Sequence, residues 1–153
     1  MFRSVRNSLA LATLAIGLLA PSAFTSGSAQ AATLKAVIDL SQQRMNVYVD
    51  GKRRYRWAVS TGTRKWPTRT GSFTPFGVER VHKSKRWNMT LTHVVKFDQT
   101  SEGINAIHGT HAVGRLGRQA SHGCVRLAPR NAAIFYRLVG KHGLWGTKVV
   151  VKR

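Results

Sequence analysis

Apolar and polar residues alternate over several short segments of the chain, with the two-residue period of half-buried strands. Turn-forming residues separate these segments, and Asp50-Gly51 is a dipeptide that favours a two-residue hairpin. The predicted strands are residues 34–40, 45–49, 54–60, 73–81, 89–96, 104–108 and 147–151. Short strands at this spacing are typical of a small β-sandwich or barrel.

One segment near the C-terminus has the helical period instead. Pro129 suits the first turn of a helix, and Gly140 and Gly143 are stop signals. The apolar residues of one face recur four positions apart: Ile134, Phe135, Leu138 and Val139. The sequence therefore predicts a mostly β fold with one main helix.

Residues 1–31 have the pattern of a secretory signal peptide. Two arginines form a positive start, residues 9–20 are an unbroken apolar run, and small residues precede a cleavage site at Ala31. The alternative, a transmembrane anchor, needs about 20 apolar residues, and this run is shorter. We expect export to the periplasm or cell wall and a single domain over residues 32–153.

The chain is strongly basic, because 25 Lys and Arg residues stand against 5 Asp and Glu, a formal net charge of +20. Its 153 residues allow one ordinary domain, and 42% hydrophobic residues are enough to bury a core. Such a charge indicates polyanionic partners. Because an exported protein rarely meets nucleic acid, we expect anionic polymers of the cell envelope. We also expect a monomer that uses no cofactor.

Residues 107–127 contain the densest group of chemically active side chains. Cys124, the only cysteine, follows His122 by two positions, so both side chains point the same way in an extended segment. An imidazole beside a thiol can take its proton and leave the thiolate as a nucleophile. Gly123 removes bulk beside the thiol, and the amides of this turn could face an oxyanion. Nearby histidines and Arg126 favour a lowered thiol pKa.

Two other interpretations of this segment remain open from the residues alone. A single cysteine in a small domain is often a buried apolar residue. Four side chains could also bind a zinc ion: His108, His111, His122 and Cys124. No acidic residue lies close in sequence to orient these imidazoles, which weighs against a metal site.

The order of these residues resembles a known family, the L,D-transpeptidase catalytic domain of the YkuD type. The similar segments are residues 108–110 (HGT), 121–127 (SHGCVRL), 59–62 (VSTG) and 67–73 (PTRTGSF). Arg69 stands near a position where the family's pattern more commonly has a second proline. The resemblance covers roughly residues 33–151 and implies a small β-sandwich or barrel with its active site at the ends of the strands.

The resemblance implies an acyl transfer on peptidoglycan. Cys124 would attack the carbonyl between the diamino acid and the terminal D-alanine of a tetrapeptide stem and release D-alanine. Transfer of the acyl group to an amine of a neighbouring stem would give a 3→3 cross-link. By resemblance His122 is the general base, Ser121 supports its imidazole, and Gly123 supplies an oxyanion-hole amide. Four residues would bind the substrate: His108, Gly109, Thr110 and Arg126.

Two further functions are compatible with the sequence. If water accepts the acyl group, the protein is an L,D-carboxypeptidase or amidase. If the motif serves only as scaffold, the protein is a non-catalytic cationic module that binds the wall. Thiol chemistry separates the two classes, because an activated cysteine is alkylated quickly at neutral pH and a structural one is not.

Overall fold

The computed structural model describes residues 33–153, so the predicted signal peptide lies outside the described residues. These residues form two β-sheets and one main helix, which confirms the predicted fold class and makes it a sandwich. In chain order the elements are β1 (Leu34–Asp39), β2 (Arg44–Val49), β3 (Lys52–Ala58), β4 (Gly71–Phe73), β5 (Gly77–Ser84), β6 (Met89–Thr100), β7 (Gly103–Gly109), a 3-10 turn (Val113–Arg115), β8 (Val125–Leu127), α1 (Pro129–His142) and β9 (Thr147–Lys152).

The first sheet has the strand order β3-β2-β1-β9-β4, and the second has the order β5-β6-β7-β8. Antiparallel hairpins join β1 to β2 and β2 to β3, whereas β9 returns from α1 to lie parallel to β1. Asp50 and Gly51 have φ angles of 50° and 75°, both positive as a type I′ hairpin turn requires. The predicted dipeptide therefore forms the turn of the β2–β3 hairpin.

The hydrophobic core lies between the two sheets and α1. The first sheet contributes Leu34, Ala36, Ile38, Met45, Val47, Val149 and Val151. The second sheet contributes Val95, Phe97, Ile107, Val125 and Leu127, and the helix contributes Ala132, Phe135 and Val139. Each strand supplies every second residue, so the alternation in the sequence becomes one buried and one outer face on each sheet.

The helix begins at the predicted Pro129 and ends before Gly143, whereas Gly140, the other predicted stop signal, lies within its last turn. Pro129 occupies the first turn, and Gly143 follows the last helical residue with a φ of 74°. The Gly143 N–H donates to Val139 O at 2.8 Å, which satisfies one of the last carbonyls of the helix. Across residues 33–153, no helix combines the length and apolar composition needed to cross a bilayer.

The outer side of the second sheet has a small apolar cluster of its own. Leu91, Val94 and Ala106 are buried there, and Cys124 packs against them. The register of β6 against β7 shifts twice, between residues 92 and 95 and between residues 96 and 98. Such bulges bend a strand and change which side chains point outward. This side of the sheet becomes the floor of a cleft.

Residues 73–81, predicted as one strand, belong to two strands in different sheets. β4 pairs with β9 in the first sheet, and β5 pairs with β6 in the second. Pro75 lies between them, where its missing N–H removes a ladder hydrogen bond and the chain crosses from one sheet to the other. β8 was not predicted, because three residues are too few for a period to be visible.

Candidate active site

A cleft of about 310 Å³ opens on the outer side of the second sheet. Strands β6 and β7 and the residues that lead into β8 supply its floor, and the segment between β5 and β6 supplies its rim. Four residues singled out from the sequence line this cleft: His108, His122, Cys124 and Arg126. The fold therefore brings the two motif segments together although 13 positions separate their histidines.

The turn that presents Cys124 depends on Gly123. This glycine has a φ of 111°, which L side chains rarely adopt. A Cβ at this position would also collide with Oδ1 of Asn105, which lies directly against the turn. Only glycine fits both the backbone angle and the space, which explains its place beside the thiol.

Two buried hydroxyl groups hold the turn. The Ser121 hydroxyl donates to Cys124 O at 2.6 Å and accepts from the Gly123 N–H at 3.2 Å. The Thr68 hydroxyl donates to Gly123 O at 2.7 Å and accepts from the Gly62 N–H at 2.9 Å. Ser121 thus contacts the peptide groups of the turn instead of supporting an imidazole. The Gly123 amide is already engaged, so in this conformation it does not face an oxyanion.

The Cys124 thiol lies low in the cleft. Its Sγ accepts from the Ala106 N–H at 3.4 Å and lies 3.9 Å from Ile104 O, to which the thiol can donate. Burial raises the pKa of the thiol above its ordinary value, while the Ala106 hydrogen bond and the Arg126 charge act in the opposite direction. This reverses the lowered pKa expected from the sequence, because desolvation outweighs the nearby charges. At neutral pH the thiol is protonated and needs a base.

His108 is a buried histidine on β7 with a defined hydrogen bond. Its Nδ1 lies 2.8 Å from Gly109 O. Because a carbonyl can only accept, the proton resides on Nδ1 and the lone pair on Nε2. Burial lowers the pKa of His108 to about 4, so the ring is neutral at pH 7. β7 pairs with β8, with His108 opposite Arg126, and the imidazole shares the cleft with Cys124.

His122 is exposed at the mouth of the cleft and is held by aromatic rings. It stacks on Trp87, with ring centroids 3.9 Å apart and planes at 11°, and meets the edge of Trp66 at 4.4 Å. Partial burial lowers the pKa of His122, and nearby cations lower it further: Arg126, Arg86 and Lys65. Within residues 33–153, no hydrogen bond joins His122 to Cys124. Within the same residues no hydrogen bond joins His108 to Cys124 either, so both imidazoles line the cleft without a hydrogen bond to the thiol.

Arg126 is half-buried beside the thiol. Its guanidinium donates to Ala120 O at 3.1 Å, which ties the strand to the loop before the turn. Its positive charge is among the causes that lower the pKa values of His108 and His122 and oppose the rise at Cys124. Arg126 thus combines a structural contact with a charge aimed at the reacting groups.

Gly109, the last residue of β7, and Thr110, which follows it, were also expected to bind substrate but lie outside the set of cleft-lining residues. The Thr110 N–H donates to Leu127 O at 2.9 Å. A Cβ at Gly109 would approach the Thr92 hydroxyl to 2.8 Å, so glycine is needed for close strand packing. In the structure these two residues set the position of β7 against its neighbours.

A chain of polar contacts that sequence reasoning missed lies beneath the turn. Asp98 is buried on β6, where both of its carboxylate oxygens accept from the Arg69 guanidinium. The Asn105 side-chain amide donates to Asp98 at 3.0 Å, and its oxygen lies against Gly123. The only signal in the sequence was Arg69 in place of a commoner proline. Its partner, Asp98, can be identified only from the position of β6 in the fold.

Aromatic and charged side chains contact one another along the rim of the cleft. Trp66 and Trp87 meet edge to face at 5.8 Å, so both tryptophans and His122 form one aromatic group. Arg86 and Glu102 pair across the opening at 2.7 Å. These residues lie in separate segments of the sequence, so their grouping at the rim depends on the tertiary structure.

Within residues 33–153, the candidate zinc ligands do not come together as a metal site. His111 is exposed in the loop after β7 and does not line the cleft. Among residues 33–153, no three His, Cys, Asp or Glu side chains gather closely enough to hold one metal ion.

Comparison with known proteins agrees with the resemblance found in the sequence. Residues 34–151 match the family model of the L,D-transpeptidase catalytic domain, YkuD. No curated protein is similar enough in sequence to match.

Solved structures of L,D-transpeptidases are similar in fold. The L,D-transpeptidase from Mycobacterium smegmatis is 29% identical, with a TM-score of 0.69, 80% of this chain covered and 59% of that one. The L,D-transpeptidase from Stackebrandtia nassauensis is 27% identical, with a TM-score of 0.66 and coverage of 79% and 56%. LdtMt1 in complex with imipenem is 25% identical, with a TM-score of 0.68 and coverage of 79% and 59%.

This chain thus spans less than two thirds of the length of these relatives. What it shares with them is the two-sheet domain that carries the cleft. Because the family model matches nearly all of the described residues, the chain belongs to the L,D-transpeptidase catalytic domain family.

Proposed function

We propose that this protein is a peptidoglycan L,D-transpeptidase that uses Cys124 as its nucleophile. The observation that carries the proposal is the pairing, in one cleft, of a protonated thiol with a neutral imidazole. Cys124 supplies the thiol, and His108 supplies an Nε2 lone pair on the adjacent strand. This pairing suits acyl transfer through a thioester.

In the proposed reaction His108, rather than His122, takes the thiol proton. The Nδ1–H bond to Gly109 O fixes the tautomer and the ring orientation of His108, and its lowered pKa keeps the ring unprotonated. Within residues 33–153 neither imidazole hydrogen-bonds Cys124, but the ring of His122 is held by Trp87 and Trp66, whereas His108 lies on the strand beside the thiol. We assign His122 to the wall of the donor site instead.

The thiolate of Cys124 attacks the carbonyl that links the diamino acid to the terminal D-alanine. Because the Gly123 amide is engaged by Ser121, we assign stabilisation of the oxyanion to the Cys124 amide. The imidazolium of His108 returns its proton to the amine of D-alanine as the C–N bond breaks. An amine of a second stem then attacks the thioester, regenerates the thiol and completes a 3→3 cross-link.

Charges in the cleft suit a stem peptide with several carboxylates. Lys85 and Arg126 line the cleft, and within residues 33–153 neither has an ion pair with an acidic side chain. Guanidinium and ammonium groups in such a position bind carboxylates. We propose that the protein acts outside the cytoplasm, after removal of residues 1–31.

The direct test is mass spectrometry of residues 32–153 incubated with a disaccharide-tetrapeptide, beside the Cys124→Ala variant. We expect a dimer that has lost one D-alanine, and a loss of product on the order of 10³-fold or more in the variant. Circular dichroism of the variant provides the control for folding. A tripeptide without dimer would assign the protein to hydrolysis, and product formed by Cys124→Ala would exclude the proposed nucleophile.

A second test uses a β-lactam. The solved structure of LdtMt1 is a complex with imipenem. We propose that imipenem acylates Cys124 of this chain, which gives a single adduct because the chain has one cysteine. Intact-mass measurement of wild type against Cys124→Ala detects that adduct, and an unchanged wild-type mass would count against an acylable thiol.

A further inference from the structure

The outer face of the first sheet carries a regular array of cations. Strand register places Arg53, Tyr48, Lys35 and Lys148 in one row across β3, β2, β1 and β9. The exposed cations on this side, named here the cationic face, are Lys35, Arg44, Arg53, Arg56, Lys148 and Lys152. Paired residues of neighbouring strands point to the same side of a sheet, so these charges share one surface.

Little acidic charge balances this face. Asp39 pairs with Lys152 at 3.3 Å, and Asp50 at the hairpin turn accepts from the Thr33 N–H at 2.9 Å. Within residues 33–153, the other five cations of the face form no ion pair with an acidic side chain. Lys35 and Lys148 are direct cross-strand neighbours, an arrangement that is unfavourable for folding because like charges repel.

A groove runs over the same surface. It has a volume of about 390 Å³ and is lined by Thr33, Lys35, Val37, Tyr48 and Gly51. Tyr48 is half-buried between Arg53 and Lys35, so a phenol side chain lies between two cations. A groove that contains Lys35 and is flanked by the other cations of the face suits an extended anionic chain.

The groove and the catalytic cleft lie on opposite sides of the sandwich. The inner side of the first sheet faces the core, and the core separates it from the second sheet. Cys124 lies on the far side of that second sheet. A polymer bound to the cationic face therefore leaves the cleft open to a stem peptide.

We propose that the cationic face binds a linear polyanion of the cell envelope whose charges are phosphodiester groups. Three of the six cations are arginines, whose guanidinium forks bind phosphate through two hydrogen bonds. A polymer fits better than a lipid surface, because the face presents no exposed large apolar side chain. Those side chains lie outside β1, β2, β3 and β9, with Trp145 two residues before β9: Phe76, Val78, Val81, Trp87, Met89, Ile104, Val113 and Trp145.

The test compares two triple variants that each lose three positive charges. Both are made in residues 32–153, the range that contains the whole described fold. The face variant is Lys35→Thr, Arg53→Thr and Lys148→Thr, since threonine suits strands. The control variant replaces Arg118, Arg130 and Arg137 with glutamine, all of which are exposed and lie on α1 or the loop after β7. Fluorescence polarisation measures binding of labelled poly(glycerol phosphate) at 0.05 M and 0.15 M salt.

We expect the face variant to bind about tenfold more weakly, and the control to stay within about twofold of wild type at 0.15 M salt, since the Debye length there is about 8 Å. Wild-type binding should weaken as salt rises. Equal loss in both variants would overturn the proposal in favour of net charge alone. Stronger binding to phosphatidylglycerol vesicles than to the polymer would overturn it in favour of a membrane.

Discussion

The two sheets of this domain differ in regularity and in what their outer faces hold. The first sheet pairs β1, β2 and β9 in unbroken register and turns a grooved, cationic surface to solvent. The second sheet contains the long strand β6, which shifts register twice, and turns a cleft with a half-buried thiol to solvent. Both sheets share one core.

The difference shows which part of this fold can hold reactive side chains. A regular ladder satisfies its own backbone groups and leaves its outer side chains to solvent. Around the cleft, bulges, a glycine at φ 111° and buried hydroxyl groups replace the ladder. Such irregular segments hold side chains at angles that a flat strand does not provide. Variants around the cleft should therefore lower catalysis, whereas variants in the first sheet should lower stability.

Among variants that leave the proposed nucleophile and base in place, the largest effect is expected at Gly123. Gly123→Ala forces a side chain into a positive-φ position and against Asn105, which displaces the Cys124 turn. A displacement of about 1 Å at a nucleophile lowers turnover by about 10²-fold. Steady-state release of D-alanine measures it. Gly114→Ala is the matched control, because nothing lies within 4 Å of its Cβ and its φ is ordinary; an equal loss there would contradict the account.

Two buried aspartates, one in each sheet, provide the next comparison. Asp98→Ala removes the support for Asn105 beneath the Cys124 turn, so we expect kcat to fall about tenfold with little change in KM. Asp39→Ala removes hydrogen bonds to Ser41 and Gln42 in the first sheet, so we expect a loss of about 1–3 kcal/mol in unfolding free energy at unchanged kcat. Steady-state kinetics measure kcat and KM, and urea denaturation measures the unfolding free energy. An unchanged kcat in Asp98→Ala would contradict the role of Asp98 in supporting the Cys124 turn.

The buried thiol gives a pH prediction. Because burial raises the pKa of Cys124, the thiolate fraction near neutrality is small, and alkylation by iodoacetamide should rise about tenfold per pH unit between pH 6 and 8. Intact-mass time courses report the rate at the single cysteine. A plateau already reached below pH 7 would indicate a stable thiolate–imidazolium pair instead.

The smallest effect concerns acid stability of the first sheet. The hydrogen bond from Ser41, followed by other contacts, lowers the pKa of Asp39 from 3.8 to about 2. A lowered carboxylate pKa stabilises the fold above pH 4, and this contribution is lost as pH falls from about 4 to about 2. Wild type should exceed Asp39→Asn in urea midpoint at pH 5, and the two should converge towards pH 2. A gap that stays constant with pH would contradict this role.

Much of the fold was predictable because its signals are local. Alternation located most strands, Asp50-Gly51 located the hairpin turn, and Pro129 with Gly143 bounded the helix. The split at Pro75 was missed because alternation continues on both sides of it while the strands change sheets. Strand order was not predictable, since which strands become neighbours depends on the packing of the whole core.

The motif identified the site residues, but their environments depend on tertiary contacts. Sequence spacing favoured His122 as the partner of Cys124, whereas the fold places His122 between two tryptophans. The thiol pKa was predicted from neighbouring charges, and burial reverses its direction. Desolvation and strand neighbours are properties of the folded chain, so no spacing rule supplies them.

The central claim is that Cys124 reacts through His108 and not through His122. The most direct measurement is the initial rate of D-alanine release from a disaccharide-tetrapeptide by His108→Gln and by His122→Gln, with folding of both verified by circular dichroism. The account predicts a loss of about 10²–10⁴-fold for His108→Gln, the usual contribution of a general base, and less than about tenfold for His122→Gln. A larger loss in His122→Gln than in His108→Gln would contradict it.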